Sequence, residues 1–160
     1  MIFVSVGTPE KPFDRLIEGV DGIADIVGEK ILAQIGHSTY FPQRMEFFKF
    51  CPKEEMLSYI KAASIIISQA GFGIIGDSIK LQKPIILVPR EIRYGEAIDK
   101  QYELAEYLAT QHESILCVRD VSLLLEAVAK IRKVHVLYKY DTTIPALIDK
   151  FITNTFFMGV

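Results

Sequence analysis

Short apolar runs alternate along the chain with longer stretches in which apolar residues recur every three or four positions. The runs Ile2–Val6, Lys30–Ile35, Glu46–Phe50, Ile65–Ile67, Ile85–Val88 and Ile115–Cys117 have strand length. Several are apolar on consecutive positions, as strands covered on both faces require. Between them the helical period marks Pro12–Val27, Lys53–Ala63, Ile74–Leu81, Ala97–Gln111 and Val121–Arg132. Pro12 suits a first helical turn, Asp120 is a ready N-cap, and Lys83-Pro84 ends the helix before it. Strand and helix in alternation predict an α/β fold, a mostly parallel sheet doubly wound by helices in the Rossmann manner. The rhythm breaks once, at Ile31–Phe50, where two strands follow each other through Gly36–Arg44 without a helical pattern.

Neither repeats nor low-complexity linkers interrupt the pattern, so residues 1–160 read as one domain. A final segment, 143–158, carries Ile144, Leu147, Ile148, Phe151 and Ile152 on one helical stripe, followed by Phe156, Phe157 and Met158. Such a helix either packs on its own sheet or docks on a partner subunit or membrane surface. The opening Met1–Val6 is apolar but short and lacks a basic leader, and no apolar stretch is long enough to span a bilayer. The expected location is therefore cytoplasmic.

Composition narrows the chemistry. Half the residues are hydrophobic and 24% are charged, which is globular. A net charge of −2, with 18 basic against 20 acidic residues, gives no reason to expect nucleic acid. Cys51 and Cys117 have no metal-ligand spacing and suit reduced cysteines of a cytosolic protein.

The sharpest local signal is Ile65-Ile-Ile-Ser-Gln-Ala-Gly-Phe-Gly-Ile-Ile-Gly-Asp77, where a buried strand runs through Gly71 and Gly73 into a helix. Glycine lets a ligand approach bare amides, and a helix start offers free N–H groups with the positive end of its dipole. Both favour a phosphate, although a tight turn alone also demands glycine. Asp77, in the first turns of that helix, can accept ribose hydroxyls; otherwise it is a solvated charge. Arg90 and Arg93, past the strand ending at Val88, are placed to neutralise a diphosphate, and Asp99 and Gln101 to bond sugar hydroxyls. Gly7 and Thr8 follow the first strand and open on the same crevice if that strand is central. Thr8 either contacts ligand or satisfies the turn.

Taken in order, several strings resemble the C-terminal domain of glycosyltransferase family 28. They are Val4-Ser-Val-Gly-Thr8, Pro12-Phe-Asp-Arg-Leu-Ile17, Ser68–Asp77, Lys83-Pro-Ile-Ile-Leu-Val-Pro-Arg90, Tyr94-Gly-Glu96 and Gln101-Tyr-Glu-Leu-Ala105. Within the family the likeness is to small stand-alone donor-binding subunits. These occur in the eukaryotic two-part transferase that adds GlcNAc to a dolichol-linked acceptor and in bacterial exopolysaccharide systems. The resemblance implies the C-terminal half of a GT-B fold. It implies that Ser68, Gln69, Ala70, Gly71, Phe72 and Gly73 hold the nucleotide diphosphate, that Asp77 binds ribose, and that Gln101 bonds the sugar. It places Glu96 at the donor site and turns the backbone at Phe50 and Cys51 toward uracil. It further implies inverting transfer of a hexose, GlcNAc or similar, from a UDP-sugar to a polyprenyl-linked acceptor, with no cofactor and no metal. The partner it implies is a membrane-anchored acceptor-binding subunit that contributes the base and keeps this chain peripheral to the membrane.

Two positions depart from the family pattern. Gln69 stands where the loop usually has histidine, and Asp99-Lys100 where a second acidic residue and a histidine usually precede the glutamine. His37, His112 and His135 all fall outside the segments assigned to the crevice. A nucleotide-sugar sensor or scaffold without catalysis, and half of a nucleotide-sugar epimerase, remain as alternatives.

Overall fold

A computed structural model describes residues 1–97 and 100–138. The apolar segment 143–158 and Asp99 lie outside those residues. The strands are β1 (Ile2–Ser5), β2 (Ile31–Gln34), β3 (Glu46–Phe48), β4 (Ile65–Ser68), β5 (Ile85–Leu87) and β6 (Ile115–Cys117). They form one parallel six-stranded sheet in the order β3-β2-β1-β4-β5-β6. The helices are α1 (Asp14–Asp21), α2 (Lys53–Ala62), α3 (Phe72–Lys80), α4 (Gln101–Gln111) and α5 (Leu124–Ile131).

Alternation along each strand divides the core in two. Ile2, Val4, Ile65, Ile67 and Ile86 face α1 and α5, meeting Leu16, Ile17, Val20, Leu124 and Val128. Phe3, Ile66, Ile85 and Leu87 face the other way, against Ile60 of α2, Ile75 of α3 and Ala105 of α4. Both strand faces are therefore covered, and removing each such side chain from water is worth about 1.5–3 kcal/mol.

Helix bounds differ from those the sequence pattern suggests. The stripe expected over Pro12–Val27 keeps Val20, Ala24 and Val27 inward, but after Asp21 the bonds shorten to three-residue turns, Ile23 to Val20 and Ala24 to Asp21. Gly28, at φ 66°, ends the segment. Within the pattern over Ala97–Gln111 the described helix runs from Gln101 to Gln111, and ahead of it residues 92–94 make a 3-10 turn closed by Gly95 at φ 71°.

The β2–β3 crossover runs without a helix and needs partners for its backbone polar groups. Helix α1 supplies them. Asp14 accepts from the amides of Thr39 and Tyr40 at 2.7 and 3.1 Å. Asp21, fully buried, accepts from the amides of Gln43 and Arg44 at 3.1 and 2.8 Å and from the Tyr40 hydroxyl at 2.8 Å. Burial pushes the Asp21 carboxyl up, yet those hydrogen bonds and the nearby Arg44 outweigh it and hold the group below its usual 3.8.

A depressed carboxyl stabilises the fold fully above its unfolded value and loses that contribution as pH falls through the folded one. We expect the urea midpoint of the unaltered chain to drop below about pH 3.8 as Asp21 and Asp14 become protonated. Asp21→Asn turns an accepting oxygen into a donor facing two amides and should cost about 2–3 kcal/mol at pH 7, with a shallower acid limb. A midpoint equal to that of the unaltered chain at pH 7 would show that the crossover is held by other means.

Candidate functional site

In the strand order, β1 and β4 are neighbours whose following connections leave in opposite directions, β1 toward β2 and β4 toward β5. At such a switch point the two loops diverge beyond the carboxyl ends of the strands and leave a crevice. The structure has a cleft of about 340 Å³ there. Ser5, Gly7, Thr8 and Pro9 line it from the β1 side, Gln69, Gly71, Gly73, Ile74 and Asp77 from the β4–α3 side, and Met56 and Ile60 from α2.

One wall of the cleft is the start of α3. The Gly71 amide turns back to the Gln69 carbonyl at 2.8 Å, and no side chain caps the helix. The amides of Phe72, Gly73 and Ile74 consequently find no acceptor among the described residues. Free amides at a helix start, on the positive end of its dipole, suit an anion. The glycines here are not demanded by the backbone. Gly71 sits at φ −92°, open to any residue, and a Cβ on Gly73 would meet nothing within 4 Å. Gly7 is different: its φ is 74°, and a Cβ there would lie 1.9 Å from Gln69 Nε2.

Behind the cleft lies a polar interior that the sequence reading did not anticipate. Ser5 and Ser68, register partners on β1 and β4, are both buried. The Ser68 hydroxyl donates to the Ser5 carbonyl at 2.9 Å, and the Ser5 hydroxyl to Gln34 Oε1 at 2.8 Å. Gln34 also accepts from the Gly7 amide and donates to the carbonyls of Gly7 and Lys49. It ties the β1 loop to the end of β3. Its signal was an amide closing the otherwise apolar run Ile31-Leu-Ala-Gln-Ile35.

Three expected ligand contacts require correction. Ser68 is turned into the β1–β4 seam. Arg90 is 1% exposed and donates to Gln69 Oε1, to the carbonyls of Lys11 and Pro12, and to that of Val6. Its face lies 4.6 Å from the centre of the Phe13 ring. Glu96 is buried, binding Arg15 through both carboxylate oxygens and accepting from the Glu91 amide. All three therefore spend their polar atoms inside the protein. Arg15, which the sequence reading passed over, joins α1 to this segment through Glu96 and the carbonyls of Pro89 and Arg119. Arg93 is exposed and pairs with buried Glu91, which Arg119 also binds; the Arg119 bond and charge hold the Glu91 carboxyl below its usual value.

The remaining expected residues flank the cleft. Across the glycine loop lies a second recess of about 420 Å³, lined by Ala70, Gly71, Phe72, Lys100, Gln101 and Glu103 among others. Gln101 Oε1 is buried there without a hydrogen-bond partner among the described residues. Asp77 stands at the far end of the first cleft, where a groove between α2 and α3 begins. Its carboxylate has no partner among the described residues. Phe50 and Cys51 line neither recess; Phe50 is half-exposed, edge-on to His37 at 5.1 Å. His112 packs against Tyr138. Among the described residues no cluster of three or more His, Cys, Asp or Glu is placed to hold a metal, and no helix is long and apolar enough to cross a membrane.

The sequence profile of the glycosyltransferase family 28 C-terminal domain matches residues 1–139. Similar solved structures include the glycotransferase of kitacinnamycin (15% identity, TM-score 0.61) and CalG4, the calicheamicin glycosyltransferase (15%, 0.59). Each covers 93% of this chain, which in turn spans 37% of theirs. Os79 from O. sativa, solved with UDP, is 20% identical with a TM-score of 0.55, covering 81% of this chain and 32% of its own. At these identities the likeness is one of fold. No curated protein matches the chain by sequence.

The glycines separate cleanly by substitution. Gly7→Ala meets both a left-handed backbone and the Gln69 amide, and we expect a loss of about 1–3 kcal/mol in urea unfolding. Gly73→Ala replaces a glycine in the first turn of α3 that faces open space and should stabilise by up to about 0.5–1 kcal/mol. A destabilised Gly73→Ala variant would show that the fold, rather than a ligand, requires that glycine.

Proposed function

Because the chain belongs to the glycosyltransferase family 28 C-terminal domain, we propose that it is the donor-binding half of an inverting glycosyltransferase that uses a UDP-sugar. The observation that carries this reading is the row of unpartnered amides at the head of α3, opening on the switch-point cleft between two loops that bring bare backbone close. A diphosphate seated there receives several N–H bonds and the helix dipole. The same groups stabilise the charge that builds on the diphosphate as the sugar leaves. Asp77, an unpaired carboxylate at the end of the cleft, accepts the ribose hydroxyls. The hexose lies across the glycine loop, where Gln101 Oε1 lacks a donor and a sugar hydroxyl provides one. Ala70 and Phe72 frame that passage.

Transfer also needs a base for the acceptor hydroxyl. Among the described residues Asp77 is the one acidic or basic side chain lining the cleft, and in this reading ribose occupies it. The base then comes from a separate, membrane-associated subunit that binds a lipid-linked acceptor, and the chain alone binds donor without efficient transfer. GlcNAc or a related hexose is the sugar. A second reading, a nucleotide-sugar sensor or scaffold, draws on the same lack of a base and differs in requiring no acceptor subunit.

Thermal melting with UDP, UDP-GlcNAc, UDP-Glc, UDP-Gal, UDP-GlcA and GDP-mannose tests the reading, since a ligand of the folded state raises the midpoint by mass action. We expect uridine nucleotides to raise it and GDP-mannose to leave it unchanged. Asp77→Ala should weaken UDP by about 1.5–3 kcal/mol for each ribose bond lost, and Gly71→Val should abolish binding. No shift with any uridine nucleotide would defeat the proposal.

A further inference from the structure

We propose that Arg90 is a positioning residue that holds the Gln69 amide with its N–H pair turned into the cleft, where it donates to an oxygen of the bound diphosphate. The proposal rests on the donor-binding reading above and assigns one contact within it. A guanidinium has N–H donors and no acceptor. The end of the Gln69 amide 2.5 Å from Arg90 Nε is therefore its oxygen, by chemical necessity. Nε2 must point the other way, and it lies between the two glycine loops. A Cβ on Gly7 would come within 1.9 Å of it, and one on Gly71 within 3.3 Å. Gln69 lines the cleft, and its Nε2 hydrogens have no acceptor among the described residues.

Neither partner is free to rearrange. Turning the amide over would set N–H against N–H in a buried site, leaving a buried charge short of a bond. The guanidinium cannot follow, because its other nitrogens are held by the carbonyls of Val6, Lys11 and Pro12. The Phe13 ring lies against its face. The cation also polarises the amide it binds: drawing electron density toward the Gln69 oxygen strengthens the N–H groups as donors. A buried positive charge thus reaches the cleft through one hydrogen bond without being exposed to it.

The competing role for Gln69 is purely structural, an acceptor that satisfies Arg90. The two roles differ in whether the effect depends on phosphate. Gln69→Glu keeps an oxygen for Arg90 and adds an ion pair, but replaces the N–H pair with a second oxygen. Uridine and UDP binding would be measured by ligand-observed NMR and calorimetry, with melting as the check on folding. We expect Gln69→Glu to melt no lower than the unaltered chain and to bind uridine within about twofold of it. UDP affinity should fall by about tenfold or more, the worth of one charge-assisted bond. Arg90→Lys, where it folds, should show the same phosphate-selective loss to a smaller degree. Unchanged UDP affinity in Gln69→Glu overturns the inference and leaves the donor-binding reading standing, and so does an equal loss of uridine and UDP. Failure of the unaltered chain to bind either ligand removes both.

Discussion

The cleft is organised around a positive charge that never reaches it. Arg90 lies in the interior, and a guanidinium out of water has to be surrounded by acceptors. It gathers them from what would otherwise be independent pieces: three carbonyls of the segment after β1 and the amide of Gln69 after β4. Burial pulls the Arg90 guanidinium down from its usual pKa, opposed by the nearby Glu96 carboxylate. No single partner neutralises it. Because the two loops that bound the switch-point crevice share one cation, their separation is set by the reach of its nitrogens. Arg15 and Glu96 act as a second tie behind it, joining α1 to the segment after β5.

This division explains why glycines in the same region carry different demands. Gly7 belongs to the interior arrangement: its left-handed backbone lets the β1 loop close down on Gln69, and any side chain would strike the amide. Gly73 belongs to the open side, in a helix that would be more stable with alanine. Its lack of a side chain leaves the unpartnered amides beside it open to the cleft.

The fold was legible because doubly covered strands leave uninterrupted runs of Ile, Val and Leu: five of the six strands fall within the runs the pattern marks, and β4 extends one residue further, to Ser68. Helix ends were less so. The α1 stripe continues past Asp21 while its hydrogen bonds change register, which hydrophobic spacing does not record. For the site, the strand–glycine–helix sequence at Ile65–Asp77 located the cleft wall, since that chemistry is local. The direction of Ser68, Arg90 and Glu96 was hidden, because it is decided by carbonyls distant in sequence: an arginine after a strand looks alike whether it turns outward or in. Gln34 left a faint trace as a lone amide in an apolar strand, and Arg15 left none, its partners lying 74 to 104 positions away.

The electrostatics of the cleft follow from where the charges ended up. Among the described residues lining it, Asp77 alone carries an acidic or basic side chain. No cation is among the described residues lining this cleft, so attraction there comes from oriented dipoles, the amides at the head of α3 and the Gln69 N–H groups backed by Arg90. Lys100 lines the neighbouring recess and Lys80 the α2–α3 groove. Dipoles act over short distances and are not displaced by mobile ions as a lysine cluster would be. The arrangement holds an anion that fits against the loop and offers little long-range pull on others. Asp77 adds discrimination at the other end, because a carboxylate repels a misplaced phosphate and welcomes a hydroxyl. The polarity of the cleft, donors at one end and an acceptor at the other, therefore matches a molecule that is itself asymmetric, anionic where it meets the helix and hydroxylated where it meets Asp77.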